Sequence, residues 1–133
     1  MITAIDTSVL LAIAKGEPEG SAWAEALIRA RAEGELVVCD IVAAEFFAAI
    51  LDRRKLQAML HGLSIVYSPT TLDSAVLAGR IFRAYRRQGG PRQHLIPDFV
   101  VAAHATLQAD RFAGPDRGYL RRYFPRLPQL MPG

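Results

Sequence analysis

The chain has 133 residues, 51% of them hydrophobic and 22% charged, with a net charge of +3. That is the balance of a globular protein, and the length fits one domain over residues 1–133 rather than two. A lone cysteine, Cys39, excludes an internal disulfide and a cysteine-based zinc site, the opening Met1–Asp6 has no secretion signature, and no apolar run approaches the ~18 residues of a membrane span.

The elements follow in chain order. Ile2–Ile5 is a short β-prone apolar run and reads as a buried strand ending at Asp6. Thr7–Ala14 is helical until Gly16 and Pro18 interrupt it, and residues 19–33 form an alanine-rich helix that Gly34 stops. Leu36–Cys39 is a second buried strand, after which Asp40 is expected to cap a helix running from Ile41 to about Arg54. A further helical piece, Leu56–His61, leads into a third strand at Ser64–Tyr67. Thr70 or Thr71 caps a long helix to Arg87, ended by Gln88-Gly89-Gly90-Pro91. Ile96–Ala109 is helical, with Pro97 in the permitted first turn. Arg111–Ala113 is a weak fourth strand, Gly118–Phe124 a short helix, and the proline-rich tail adds an edge strand. Apolar strands alternating with helices predict an α/β fold, a mostly parallel sheet covered on both faces.

Charge is divided unevenly along this plan. Residues 1–79 hold 6 Lys+Arg against 10 Asp+Glu, whereas residues 80–133 hold 10 Arg against 3 Asp. Arginine's planar fork matches phosphate oxygens, so the second half is a candidate nucleic-acid face; a solvated arginine-rich surface explains the same charges.

Four carboxylates stand where chemistry could use them. Asp6 follows the first strand, at the carboxyl rim where parallel sheets take their ligands; capping the next helix is the equal alternative. Glu45 lies among Val42, Ala43, Ala44, Phe46, Phe47, Ala48 and Ala49, a helix apolar nearly all round and therefore expected to be buried. A buried carboxylate needs a proton, an arginine or a metal, and a metal is the first choice. Asp98 sits in the first turn of an otherwise apolar helix, where the macrodipole alone would welcome it. Asp116, in Gly114-Pro115-Asp116-Arg117-Gly118, reads singly as a turn or cap residue. Together the four fall at strand-to-helix junctions or in early helical turns, places that share one rim of a wound sheet. Hard oxygen ligands of this kind suit Mg²⁺ or Mn²⁺. Thr7 and Ser8 are placed to hydrogen-bond the Asp6 carboxylate or a metal-bound water, with capping the alternative, and His94 lies four residues before Asp98 in a basic loop that could meet substrate. Cys39 reads as a small buried residue, and no Walker or dinucleotide-binding glycine motif is present.

Ile5-Asp6-Thr7-Ser8-Val9-Leu10-Leu11, Val42-Ala43-Ala44-Glu45-Phe46, Asp98 through Ala105, and Asp110 through Pro125 resemble, in order and spacing, the four motifs of PIN-domain ribonucleases. Within that group the chain is most similar to VapC toxins of bacterial VapBC toxin–antitoxin pairs. The resemblance implies a PIN-like α/β/α sandwich with four or five mainly parallel strands. It implies Mg²⁺- or Mn²⁺-dependent endonucleolytic cleavage of RNA, with Asp6, Glu45, Asp98 and Asp116 as catalytic, metal-binding acids. It also implies a VapB-type antitoxin as partner, a homodimer and a cytoplasmic, non-membrane location. One departure stands out: Gly114 and Pro115 occupy positions where the family often has a hydroxyl residue two places before its last aspartate, a change that could loosen Asp116 or a second metal. The alternative is a non-catalytic PIN-like module binding RNA or protein. A phosphatase of the haloacid dehalogenase type is disfavoured, because Ser8 stands where its second aspartate belongs.

Overall fold

The computed structural model describes residues 1–91 and 94–132; Arg92, one of the ten arginines of the basic half, lies outside them. Five strands, β1 (Thr3–Ile5), β2 (Leu36–Val38), β3 (Ile65–Tyr67), β4 (Arg111–Ala113) and β5 (Gln129–Leu130), are joined by seven helices. These are α1 (Thr7–Ala14), α2 (Gly20–Glu33), α3 (Asp40–Ile50), α4 (Arg53–Gly62), α5 (Leu72–Arg87), α6 (Ile96–Gln108) and α7 (Gly118–Tyr123). The strands form one sheet in the order β3-β2-β1-β4-β5, every pair parallel, as the alternation of strands and helices predicts. Helices flank the sheet, with α5 packed along α6 and α1 against α2 and α3.

The strands are short because each only has to cross the core. Ile5, Leu36, Val38 and Phe112 are at most 2% exposed and meet Leu10, Leu27, Phe46 and Phe99 from the helices. The order matters more than the length. From β1 the chain winds outward through β2 to β3 on one side, and β4 and β5 build the other side, so β1 and β4 flank the point where winding reverses. A crevice opens at the carboxyl ends of the strands at such a point. Asp6 leaves β1 there, and Gly114 leaves β4.

Three local expectations are corrected. The helix after β2 does not run on to Arg54: α3 ends at Ile50, Leu51 takes a left-handed conformation (φ 56°), and Asp52 caps a separate α4 by accepting from the backbone N of Arg54 and Lys55. The Asp-Arg-Arg sequence is thus a cap and a helix start rather than the polar end of α3. Asp40 is not a side-chain cap, since its carboxylate accepts instead from the backbone N (2.8 Å) and hydroxyl (2.6 Å) of Thr70. Nor is α3 buried all round. Only Val42 and Phe46 are fully buried, while Ala44, Glu45, Phe47, Ala48 and Ala49 are exposed. Apolar content cannot distinguish burial under the rest of the chain from a surface left for something else. Thr71 rather than Thr70 caps α5, accepting from Ser74 N at 3.2 Å.

Candidate active site

Asp6 sits where β1 and β4 part. Its backbone N donates to Ala113 O at 2.9 Å, which ties the two strand ends together. It is the N-cap residue of α1 by backbone conformation, yet its side chain makes no cap bond. Its Oδ2 instead accepts a hydrogen bond from the Ser8 hydroxyl and a 3.2 Å charge-assisted bond from Arg117. At 7% exposure this is a nearly buried carboxylate supplied with a counter-cation. The capping alternative for Asp6 therefore falls, and the hydroxyl of Ser8 acts on the carboxylate, one of its two expected uses.

Gly114 packs beside the Cβ of Asp6. A Cβ there would lie 3.1 Å from Asp6 Cβ and 2.9 Å from the Phe112 ring, both held in the core. At the position that departs from the family pattern, a side chain would have to displace the Phe112 ring or Asp6.

Thr7, the next residue, turns to α3: its hydroxyl donates to Glu45 Oε1 at 2.6 Å. That bond brings Glu45 beside the start of α1. Glu45 is exposed rather than buried, so burial does not force a metal on it; its claim on the site rests on the Thr7 bond.

Asp98 lies in the first turn of α6 and accepts from Leu95 N at 3.1 Å, so here the capping role is real. Its Oδ2 is also 3.9 Å from Nδ1 of His94. Tyr119, from α7, connects the groups. Burial chiefly, and then the negative charge of Asp98, push its phenol well above its ordinary pKa, with Asp6 adding to the effect and Arg117 opposing it. Tyr119 therefore stays protonated within electrostatic reach of both acids. Arg117 is partly buried, which works against its charge, but the charge and hydrogen bond of Asp6 hold its pKa above the ordinary value. Asp116 does not join this group. It is exposed and paired with Arg121, as its surface-turn reading anticipates.

These oxygens are the kind a hard divalent cation takes. They are not drawn together as a set: among the described residues no three potential ligands are gathered to hold one ion. Arg117 and Ser8 occupy Oδ2 of Asp6, and Arg121 holds Asp116 outward. The fit is one of donor chemistry at Asp6, Glu45 and Asp98, with Arg117 standing as the cation already beside Asp6.

Arg117 and Tyr119 received no role from sequence. The only signal there was position, a cation and an aromatic just beyond β4 in the stretch around Asp116; their direction depends on how α7 lies over the rim.

The PIN domain family model matches residues 3–123. Solved structures align over nearly the full chain. VapBC2 from Rickettsia felis, bound to a DNA fragment from their promoter, has a TM-score of 0.72 at 18% identity, covering 98% of each chain. VapBC-1 from nontypeable Haemophilus influenzae has a TM-score of 0.67 at 19% identity, covering 97% of this chain and 96% of that one. VapBC from Salmonella typhimurium, DNA-bound, has a TM-score of 0.66 at 18% identity, covering 98% of each. These identities establish a shared fold. A comparison with curated protein sequences gives no match.

Proposed function

The chain belongs to the PIN-domain family, and from that premise we propose that it is a divalent-metal-dependent endoribonuclease of the VapC toxin type. The observation that carries this reading is the Asp6 carboxylate. It is nearly buried at the sheet's switch point, makes no cap bond, and is held by Ser8 and Arg117 beside the Thr7–Glu45 pair. A nearly buried carboxylate is costly unless paired, and here Arg117 and Ser8 supply the pairing at the rim where parallel sheets take their ligands.

Asp6, Glu45 and Asp98 would hold a Mg²⁺ or Mn²⁺ ion, which when bound supplies a Lewis acid and an activated water for in-line attack on phosphorus. The chain's own groups prepare the place. Ser8 fixes the Asp6 carboxylate and Thr7 fixes Glu45, each through one hydroxyl. Arg117 has a planar fork able to turn from carboxylate to phosphate, so it can exchange Asp6 for the scissile group as substrate arrives. Tyr119 keeps its proton and so adds no negative charge at that edge. Asp116 would contribute only after leaving Arg121, and it is the outermost member of the proposed set.

The likeness to toxin–antitoxin complexes supports a VapB-type antitoxin as partner. So does the exposed apolar side of α3: with α4 it borders a groove of about 700 Å³ lined by Ala44, Phe47, Leu56, Leu60 and Tyr67. Tyr67 is exposed, whereas Tyr85 is core and Phe82 half-buried, so of those three only Tyr67 suits a partner surface. Among the described residues no helix is long and apolar enough to cross a membrane. A cytoplasmic location belongs to the toxin reading and stands or falls with it.

The Arg117–Asp6 pair also favours a second reading, a PIN-like binding module in which the arginine permanently neutralises the acid. RNA cleavage by the purified chain, with Mg²⁺ or Mn²⁺ against EDTA and Asp6→Asn alongside, separates the two. Metal-dependent cleavage lost in the variant supports the nuclease. RNA binding of equal strength with and without metal, and no cleavage, supports the module.

A further inference from the structure

Beside the acids lies a cleft of about 380 Å³, of whose lining the proposed chemistry uses only Tyr119. Its size is within the roughly 300–1,000 Å³ of small-molecule sites. Tyr85, His94, Tyr119 and Tyr123 supply its aromatic surface, with Gln88 and Arg122 at the edge. The rings are arranged rather than merely adjacent. His94 and Tyr119 stand 4.2 Å apart between centroids, inclined at 35°, and Tyr123 meets Tyr85 edge-on at 5.3 Å and 81°.

The floor is rigid. Tyr85 is 3% exposed, rests on Phe99 at 5.0 Å and donates its hydroxyl to Pro91 O at 2.5 Å. Gly90 lies so close that a Cβ there would come within 2.5 Å of the Tyr85 ring. The rim is polar. Tyr123 donates to Gln88 Oε1 at 2.8 Å, which leaves the amide N–H groups of Gln88 without a partner among the described residues. The Arg122 guanidinium lies 5.4 Å from the Tyr123 ring centroid. Core packing explains the buried rings of Tyr85 and Tyr119; the half-buried imidazole of His94 beside them, with the exposed Gln88 and Arg122, gives the same opening a polar rim.

The cleft is continuous with the acid rim. His94 lies 3.9 Å from Asp98, and Tyr119 stands two residues along the chain from Arg117, which bonds Asp6. We propose that this cleft is a nucleobase subsite, taking by stacking the base of a nucleotide whose phosphate lies at the acid rim. Aromatic faces hold bases by stacking, and a guanidinium adds its own plane. The Gln88 amide would meet a base edge and bias which base enters. Which phosphate is meant rests on the nuclease reading; the base site itself does not.

The wild-type chain, in EDTA, is titrated with the four ribonucleoside 5′-monophosphates and with ribose 5-phosphate, followed by NMR. The expected result is saturable shifts at His94 and Tyr123 with at least one nucleotide. Ribose 5-phosphate should bind at least tenfold more weakly, and Arg122→Ala should weaken the nucleotide at least fivefold. Equal binding of ribose 5-phosphate, or shifts elsewhere, would overturn the proposal. Cleavage maps on mixed-sequence RNA separate the two readings. Cleavage with base preference unchanged in Arg122→Ala and His94→Ala removes the subsite and keeps the nuclease. Nucleotide binding in the cleft without cleavage of any RNA keeps the subsite and removes the nuclease.

Discussion

Arg117 donates to Oδ2 of Asp6 at 3.2 Å across a separation of 111 residues, joining the turn after β4 to the end of β1. The bond puts a cation on the carboxylate that metal chemistry would need. It makes Asp6 both a stabilising partner and a contested ligand, and the two roles can be measured separately.

Arg117→Gln removes the competing charge while keeping much of the side-chain volume. We expect Mn²⁺ to bind about tenfold more tightly, a change of ~1.4 kcal/mol. Calorimetric titration of both proteins measures it. Unchanged affinity would show that the arginine does not compete with the ion.

Asp6→Asn should abolish cleavage and also lower stability, because Arg117 keeps its charge and loses its partner. With the Arg117 side chain one-third exposed (33%) the loss is reduced by solvent, to about 1–2 kcal/mol, or several degrees in melting temperature. Thermal unfolding of the variant checks this. A melting temperature equal to that of the wild type would mean the ion pair contributes nothing.

Gly114→Ala tests the tight approach of β4 to Asp6. With only 2.9 Å to the Phe112 ring and 3.1 Å to Asp6 Cβ, the added methyl should cost about 1–3 kcal/mol of overpacking. It should also reduce cleavage by displacing Asp6. Denaturant unfolding and activity of the same sample are the readouts, and a fully stable, fully active variant would refute the crowding.

His104, 1% exposed with Nε2 3.1 Å from Ser68 Oγ, gives the fold a pH dependence. Burial holds its pKa below the ordinary 6.5, against the opposing Ser68 bond and Asp40 charge. The unfolded chain accepts a proton at higher pH than the folded one. Stability present above pH 6.5 is therefore lost as pH falls from there through the lower folded value. Asp40 does not interfere. Burial disfavours its charge, but the Thr70 bonds outweigh that and lower its pKa, so its contribution persists down to its ordinary 3.8. Urea midpoints from neutral pH downwards should fall in the wild type and stay flatter in His104→Gln. Parallel curves would place the dependence elsewhere.

Sequence alone determined the layer plan and the place of Asp6. Runs such as Ile2–Ile5 and Leu36–Cys39 are apolar but for Thr3, so they read as buried strands, and a residue just past the end of a central parallel strand lies on the ligand rim. Period and polarity are local, and for these elements local pattern and global fold agree. Tertiary structure decided what each acid touches. Glu45 looked buried because its neighbours are apolar, but which side of α3 is covered depends on what packs there, and here much of it is left bare. Asp98 and Asp116 were alike as first-turn or turn acids, yet one lies beside Tyr119 and the other faces Arg121, a difference set by the path of α7. The cation at Asp6 and the aromatic cleft were not legible for the same reason. A pairing between residues 6 and 117 has no period or spacing to announce it, and it exists only once the sheet has brought β1 and β4 together.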